Sequence, residues 1–281
     1  MTLLILALNK ISTDEAKNQD PDPVLVIYPP DSKSSITIRE SDFSRLNPIE
    51  FLNDNLVDFF IKYFITESNK DNFFAFSSFF YVSIVESGYD KVLKWNKGCD
   101  IFEKDFWIIP IADNNHWLLL IVAYPQYVFI ENSEIQPAIL LFDSLSFGME
   151  DLAHMVRIYI GLEWAQKQGL EYDSVQEDDI PLVIPSVPQQ NNWWDCGIYV
   201  INYAKKFIES PEPFLLDLNC EEIFDMDEFN KGRWIYKNIL NQLGTGNIVK
   251  EGVNIYLKKS KRRHRRKPQR PLDEEFYYEN N

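Results

Sequence analysis

The sequence predicts an α+β fold, with helices on both sides of a group of strands along the chain. Two observations support this prediction. Three apolar runs of strand length fall between residues 106 and 142, and apolar residues at helical spacing occur before and after them. The chain has 281 residues, of which 45% are hydrophobic and 15% aromatic. This composition suffices for a well-buried core and excludes a globally disordered chain.

The N-terminal part of the chain begins with a mixed polar segment, residues 1–23, which we interpret as a flexible arm. The apolar run Val24–Tyr28 predicts a strand that ends at a pair of prolines, and residues 36–38 form a second extended piece. Apolar residues at a spacing of three to four then predict a helix that ends near residue 65. Asn47 and Asn53 are competing N-caps for this helix.

The middle of the chain carries the strand signals. Residues 73–81 form a dense aromatic block, which we interpret as core or as a buried connector. Residues 106–111 predict a strand, and residues 138–142 predict another. Residues 117–124 are an uninterrupted apolar run of eight, which is typical of a central strand.

Three helices are predicted in the C-terminal half, over residues 152–169, 197–208 and 227–243. Residues 246–281 are interpreted as a basic, disordered tail, and residues 24–245 as a single domain. No internal repeat is found.

Cysteine and histidine usage argues against a metal site. The three cysteines, Cys99, Cys196 and Cys220, form no close pair, and neither they nor the three histidines show a zinc-binding spacing. We therefore expect no metal and no cofactor. An odd cysteine count without a signal peptide indicates a reducing compartment. The longest N-terminal apolar stretch, residues 3–8, is too short to span a bilayer and lacks signal-peptide features, so we expect no membrane association.

The net charge of −15 conceals two opposite regions. Residues 258–270 contain nine Lys or Arg and no acidic residue; without these nine, 19 basic residues face 43 acidic ones, a balance of −24. An acidic body disfavours nucleic-acid binding, except weakly through the tail, and suits a substrate with a basic face. The tail is interpreted as a nuclear-import signal or an anion-binding patch, with a merely solvated tail as the alternative.

A predicted hairpin brings two chemically useful residues together. The strand that follows His116 runs away from it, and the strand at 138–142 runs toward Asp143. If the two strands pair antiparallel, His116 and Asp143 lie at the same end of the sheet, where an imidazole can bind a carboxylate. The alternative makes His116 a turn residue and Asp143 a strand terminator.

Cys196 lies where a loop becomes an amphipathic helix. Helix-start amides and the helix dipole stabilise a thiolate, and a nearby imidazolium does so further. Gly197 removes a side chain where a substrate backbone would approach, and Gln190 could donate to an oxyanion beside the Cys196 amide. A lone cysteine is more often a small buried hydrophobe, and Cys99 and Cys220 are interpreted in that way.

Four motifs, in this order along the chain, resemble a known family. They are Phe-Leu-Asn-Asp at 51–54, His-Trp at 116–117, Phe-Asp-Ser at 142–144 and Val-Pro-Gln-Gln-x4-Asp-Cys-Gly at 187–197. The set resembles the Ulp/SENP-type cysteine proteases, which cleave SUMO from proteins. The resemblance covers residues 24–243 and implies a papain-like, adenain-type fold with a central, mostly antiparallel sheet flanked by helices.

The resemblance also implies a role for each matching residue. Cys196 would be the nucleophile, His116 the general base and acid, Asp143 its orienting partner and Gln190 an oxyanion donor. Trp117 would lie over a narrow tunnel for the Gly-Gly tail of the substrate. Further substrate-binding residues would be Phe51, Asn53, Asp54 and Gly197. His154 is a weaker candidate base, because it is predicted in the middle of a helix with no carboxylate to orient it.

Two departures from the family pattern refine this expectation. Phe51 occupies the position where the common pattern has a tryptophan, and with the upstream IYPP and downstream FSSFFY segments it resembles the SUMO-chain-editing branch. The Trp193-Trp194 pair is bulkier than the small residues expected there.

The resemblance predicts a nuclear, possibly also cytoplasmic, monomeric isopeptidase whose partners are SUMO conjugates or poly-SUMO chains. The alternatives are a protease for another ubiquitin-like modifier of the NEDD8 type and a non-catalytic SUMO-binding module. Nucleic-acid binding through the tail is a third.

Overall fold

The computed structural model describes residues 20–30, 32–96, 98–149 and 151–244. It begins with a small antiparallel sheet of two strands, β1 (Val24–Tyr28) and β2 (Ile36–Arg39), followed directly by a short helix, α1 (Glu40–Ser44). The Asp22 carboxylate accepts hydrogen bonds from the backbone N–H and the hydroxyl of Ser41, both at 2.8 Å. Residues 20–23 are thus bound to α1, whereas residues 1–19 of the predicted arm lie outside the described residues.

Helix α2 (Asp54–Ser68) begins at the later of its two candidate caps. The side-chain oxygen of Asn53 accepts a hydrogen bond from Leu56 N at 3.3 Å and thereby caps the helix. The segment after Asn47 is a turn instead, because Ile49 has φ +71° and so lies in the left-handed region. The helix also continues three residues beyond its predicted end.

The central sheet has five strands in the described chain. In spatial order they are β3 (Phe73–Ala75), β4 (Phe106–Asp113), β5 (His116–Ala123), β6 (Ala138–Phe142) and β7 (Leu182–Val183). The long pairings β4–β5 and β5–β6 are antiparallel, and the short outer pairings β3–β4 and β6–β7 are parallel. The sheet is therefore mixed, with antiparallel pairing confined to its three middle strands. The apolar run predicted as a central strand is β5, the third of the five.

Helices cover the sheet on both faces. On one face Ile108, Leu119 and Leu140 pack into a core shared with α2 and with α6 (Cys196–Glu209). On the other face Leu120 and Leu141 share a core with α3 (Phe79–Ser87), α4 (Tyr89–Val92) and α5 (Asp151–Gln168). Alternate residues of each middle strand face opposite cores, which explains why these strands are apolar throughout. The predicted aromatic block at 73–81 divides into β3 and the start of α3.

The C-terminal part contains α7 (Glu212–Leu216), α8 (Met226–Asn230) and α9 (Gly232–Leu243). The helix predicted over 227–243 is thus two helices, separated at Lys231, whose φ of −103° and ψ of 2° are not helical. At the break Gly232 packs so closely on α6 that a Cβ there would lie 2.6 Å from Ile198 Cγ2. The predicted tail, residues 246–281, lies outside the described residues. Within the described part of the chain, no helix is long and apolar enough to cross a membrane.

Candidate active site

The end of the central sheet brings His116 and Asp143 together as the hairpin geometry predicts. Strands β5 and β6 pair antiparallel with Leu119 opposite Phe142, so that β5 begins near the point where β6 ends. His116 Nε2 lies 2.7 Å from Asp143 Oδ1, and both side chains are almost fully buried. Since Nε2 binds the carboxylate, Nδ1 remains as the ring nitrogen for a second partner.

The Asp143 carboxylate is fixed by the loop that follows it. Its two oxygens accept the backbone N–H groups of Leu145 and Phe147 at 2.9 and 2.7 Å. Burial alone would raise the pKa of Asp143, but the hydrogen bonds from His116 and these two amides lower it below the usual value. Asp143 is therefore an ionised, immobile acceptor for the imidazole.

His116 lies between this carboxylate and the thiol of Cys196. Burial favours the neutral imidazole, but hydrogen bonds with Asp143 and Cys196 outweigh it and raise the pKa of His116 from 6.5 to about 9. The edge-on ring of Phe147, 5.3 Å away between centroids, covers the imidazole. At neutral pH the group beside the sulfur is accordingly an imidazolium.

Cys196 is the first residue of α6, and it is only 1% exposed. The first amides of a helix lack intrahelical acceptors, so they are available to a negative charge at this position. The predicted helix start is thus observed, and the sulfur is in contact with a proton-carrying imidazole. This is the arrangement that activates a thiol as a nucleophile.

Gln190 is buried in the loop that leads to Cys196, and both the oxygen and the nitrogen of its carboxamide are hydrogen-bonded. Its Oε1 accepts the Ser144 hydroxyl at 2.6 Å, and its Nε2 donates to Asn192 O at 2.7 Å. The Gln190 N–H also donates to Ser144 O at 3.0 Å. One amide hydrogen of Nε2 remains for a further acceptor, as an oxyanion donor requires. Ser144 and Asn192 were not singled out in the sequence, although both lie within the motifs that were.

Trp117 belongs to the same hydrophobic core as Cys196 and binds the 51–54 segment. It is 5% exposed, and its indole Nε1 donates to Leu52 O at 2.9 Å. Leu52 in turn packs on Gly197, where a Cβ would lie 2.8 Å from Leu52 Cβ. The structure thus gives a packing reason for the glycine, namely space for the Leu52 side chain, and its approach by a substrate backbone stays a prediction.

The remaining residues of the 51–54 segment differ in what they offer to a substrate. Phe51 is 42% exposed and presents an apolar surface. Asn53 is engaged within the protein, because it caps α2 and donates to Asp42 Oδ1 at 2.6 Å. Asp54 is half-buried in the first turn of α2, and this burial raises its pKa. The observed side-chain bonds of Asn53 are thus structural ones.

Other residues noted in the sequence are not part of the hydrogen-bonded cluster of His116, Asp143 and Cys196. His154 is exposed on α5, and Trp193 is 68% exposed in the loop before Cys196. Cys220 is buried as expected, but Cys99 is exposed, so its interpretation as a buried hydrophobe is wrong. Cys99 lies in the irregular segment between α4 and the short 3-10 helix Ile101–Glu103 and belongs to neither hydrophobic core of the described residues.

A thiol at a helix N-terminus, next to an imidazole that a carboxylate orients, defines the class of papain-like cysteine proteases. Within that class the chain belongs to the Ulp1 protease family, because the model of that family's C-terminal catalytic domain matches residues 50–238. This family membership confirms the resemblance seen in the four motifs.

Known proteins similar to the chain agree with this assignment. The chain is 30% identical over 210 residues to the probable ubiquitin-like-specific protease 2A of Arabidopsis thaliana. The aligned region covers 67% of this chain and 27% of that protein. A solved structure of a de-sumoylating protease is 25% identical, with a TM-score of 0.67 over 87% of this chain and 96% of the other. The yeast Ulp1 protease domain in complex with the SUMO orthologue Smt3 is also 25% identical, with a TM-score of 0.56 over 82% and 91% of the two chains. The match spans only 27% of that Arabidopsis protease and 25% of the probable ubiquitin-like-specific protease 2B of the same plant, so the chain covers about a quarter of the length of these two relatives.

Proposed function

We propose that this chain is a cysteine isopeptidase that releases SUMO from conjugated proteins by cleaving after its C-terminal Gly-Gly. The observation that carries the proposal is the position of His116 between the Asp143 carboxylate and the Cys196 thiol. Family membership supports the reaction class, and the likeness to a de-sumoylating protease and to a Smt3-bound protease domain supports SUMO as the modifier.

The first half of the reaction forms a thioester. His116 holds the proton of Cys196, and the thiolate attacks the carbonyl carbon of the terminal glycine. The carbonyl oxygen becomes an oxyanion that accepts hydrogen bonds from the Cys196 amide and the free Nε2 hydrogen of Gln190. The C–N bond then breaks, and His116 passes its proton to the leaving lysine amine.

The second half hydrolyses the thioester. His116, now neutral, takes a proton from a water molecule whose oxygen attacks the thioester carbonyl. The same two donors stabilise the second oxyanion, and the C–S bond breaks to release the glycine carboxylate. Asp143 keeps the imidazole in one orientation throughout both halves.

We further propose that Trp117 and Phe51 define how the substrate tail enters. Trp117 follows His116 and binds Leu52, which packs on Gly197; an indole over the tail at this place would leave room for glycine alone. Phe51 in place of a second tryptophan supports poly-SUMO chains as the preferred substrate. The acidic body, which balances at −24 without the basic tail residues, favours a modifier with a basic face.

The experiment that tests this function compares modifiers and forms of SUMO. Poly-SUMO chains, SUMO precursor and C-terminal fluorogenic derivatives of SUMO, NEDD8 and ubiquitin are incubated with the purified chain. We expect cleavage of SUMO derivatives only, with poly-SUMO faster than precursor. Equal kcat/KM for NEDD8 and SUMO would overturn the choice of modifier, and SUMO binding without turnover would indicate a binding module.

Two variants calibrate this comparison. Cys196→Ser should abolish turnover and retain SUMO binding, because it replaces the nucleophile by a poor one of similar size. His154→Ala removes an exposed histidine on α5 and should leave kcat/KM unchanged. Residual turnover in Cys196→Ser would contradict the nucleophile assignment.

We propose a nuclear location, supported by the nine basic residues at 258–270, and a monomeric enzyme. A fluorescent fusion that lacks residues 258–281 should leave the nucleus, and light scattering should give the mass of one chain. Unchanged nuclear fluorescence would contradict the import role of the tail.

A further inference from the structure

Arg233, at the second position of α9, places all five of its N–H groups on acceptors of the protein. Its Nε donates to Asp195 Oδ1 at 2.8 Å. Its two Nη atoms donate to four backbone carbonyls, those of Arg45 at 2.9 Å, Asn47 at 2.8 Å, Glu50 at 2.6 Å and Trp194 at 3.1 Å. One side chain thus joins α9, the turn at 45–50 and the loop before the nucleophile.

On one side this guanidinium is connected to the oxyanion donors. Asp195 immediately precedes Cys196, and its second carboxylate oxygen accepts from Asn192 Nδ2 at 2.8 Å. The Asn192 side-chain oxygen accepts two backbone N–H groups of the same loop, both at 3.0 Å, and its backbone carbonyl accepts Gln190 Nε2 at 2.7 Å. A continuous series of hydrogen bonds therefore runs from Arg233 through Asp195 and Asn192 to Gln190.

On the other side the guanidinium fixes the segment that leads to Leu52. The turn at 45–50 precedes Leu52, whose side chain packs on Gly197 and whose carbonyl accepts the Trp117 indole. Because Arg233 binds three carbonyls of this turn, it sets the distance between the Leu52 segment and the start of α6. The loop before the nucleophile and the turn that leads to Leu52 are thus both bound to the same guanidinium.

We propose that Arg233 is a positioning residue of the reaction, which holds the Gln190 carboxamide and the Cys196 amide at the separation that an oxyanion needs. It touches no reacting atom and acts through Asp195 and Asn192. The inference rests on the proposed protease function, because it assigns Gln190 and the Cys196 amide to the oxyanion.

Only arginine offers this geometry among the basic residues. Its guanidinium is rigid and planar and presents five donors in a fixed fork, whereas lysine presents three donors on a flexible stem. Arg233→Lys keeps the charge near Asp195 but cannot reach four carbonyls at once. A misplacement of about 1 Å at catalytic groups can cost about 10²-fold in rate, so the loss should appear in kcat.

The first measurement compares Arg233→Lys with Lys237→Gln in the full chain, on a fluorogenic SUMO substrate. Lys237 lies one turn further along α9, and its Nζ donates to the Asn47 side chain at 2.7 Å, so it binds the same turn without reaching Asp195. We expect Arg233→Lys to lower kcat about 10- to 100-fold with KM within about twofold. Lys237→Gln should stay within twofold of the wild type in both constants.

A double-mutant cycle tests whether Arg233 acts through Gln190. If it does, Arg233→Lys should lower kcat by a clearly smaller factor in the Gln190→Ala background than in the wild type, because only its effect on the Cys196 amide then remains. Multiplicative losses would overturn the proposal, as would an Arg233→Lys enzyme as active as Lys237→Gln. If Arg233→Lys fails to fold, Asp195→Asn replaces it in the cycle, since it keeps an oxygen for Arg233 and breaks the bond to Asn192.

Hydrogen exchange separates this inference from the protease function. Arg233→Lys should speed amide exchange in peptides that cover residues 45–50 and 190–196 and leave the strands β4 and β5 unchanged. Unchanged exchange in both peptides would overturn the positioning role whatever the substrate. If Arg233→Lys differs from the wild type in exchange in this way but the wild type cleaves no ubiquitin-like modifier, the proposed function alone is refuted.

Discussion

The side chain of Leu52 occupies the space that a side chain on Gly197 would need, with an ideal Cβ at residue 197 only 2.8 Å from Leu52 Cβ. The contact is between atoms near two backbones, so neither residue can relieve it by a rotamer change. It fixes how closely the segment before α2 approaches the residue that follows the nucleophile.

Gly197→Ala should accordingly destabilise the domain. Overpacking costs about 1–3 kcal/mol, and the gain in helix propensity offsets at most about 1 kcal/mol, so we expect a net loss of about 1–2 kcal/mol in urea unfolding. Gly98→Ala is the control, because a Cβ there meets nothing within 4 Å. A Gly197→Ala protein as stable as Gly98→Ala would contradict the packing argument.

Asp143→Asn should shift the alkaline limb of the pH dependence of kcat/KM to lower pH. The imidazolium of His116 persists up to about pH 9 because Asp143 and Cys196 stabilise it, and activity that depends on the ion pair is lost as pH rises through that value. Without the carboxylate the pKa of His116 falls toward 6.5, so the limb should shift to lower pH in kcat/KM.

The same coupling has a consequence for stability. A histidine whose pKa is raised on folding stabilises the native state below its unfolded pKa, and this contribution disappears as pH rises from about 6.5 to about 9.

The control for the activity profile is Asp113→Asn. Asp113 lies on β4 opposite His116 but binds Asn114 instead, so its replacement should leave the pH dependence of kcat/KM unchanged. Identical profiles for Asp143→Asn and the wild type would refute the orienting role.

Gln190→Ala should lower kcat about 10²- to 10³-fold, or ~3–4 kcal/mol, with little change in KM, the cost of one lost oxyanion donor. The neighbouring Gln189 is a matched control. Both of its amide hydrogens are used on Asp143 O and Val187 O, so it has none to offer an oxyanion. Gln189→Ala should therefore lower kcat by much less than Gln190→Ala does. A rise in KM at constant kcat in Gln190→Ala would make that glutamine a substrate-binding residue instead.

Trp117→Phe distinguishes a role in substrate positioning from a role in the core. It keeps an aromatic ring but loses the hydrogen bond to Leu52 O, which costs about 1 kcal/mol and about 2–4 °C in Tm. Trp107→Phe loses the equivalent bond, Nε1 to Ile101 O at 2.8 Å, on the opposite face of the sheet. We expect similar melting temperatures for the two variants but a fall in kcat/KM, about 10- to 100-fold, in Trp117→Phe alone. Equal kinetics would leave Trp117 as a core residue only.

Alkylation rates should rank the three cysteines by chemistry rather than by exposure. Cys99 is exposed and therefore accessible to the reagent, whereas burial raises the pKa of Cys220 and should protect it. Cys196 is buried but in contact with an imidazolium, so we expect it to react with a small alkylating reagent faster than Cys99. Mass spectrometry of partially labelled protein measures all three rates; slower labelling of Cys196 than of Cys99 would count against an activated thiol.

The sequence by itself determined the middle of the sheet and the core of the site. Apolar runs of strand length located β4, β5 and β6, and antiparallel pairing of β5 with β6 was enough to place His116 beside Asp143. Helical periodicity and a glycine located the start of α6 at Cys196. These inferences succeed because each depends on a local pattern of side chains with a fixed period.

Tertiary structure alone decided the parallel outer strands, the break between α8 and α9, the exposure of Cys99 and the reason for Gly197. It also decided the role of Arg233, whose carbonyl acceptors on the 45–50 turn lie 183 to 188 residues away along the chain. Every residue carries a backbone carbonyl, so the sequence does not indicate which carbonyls a distant guanidinium will bind. Such contacts exist only once the two cores have brought α9, the N-terminal turn and the nucleophile loop to one place.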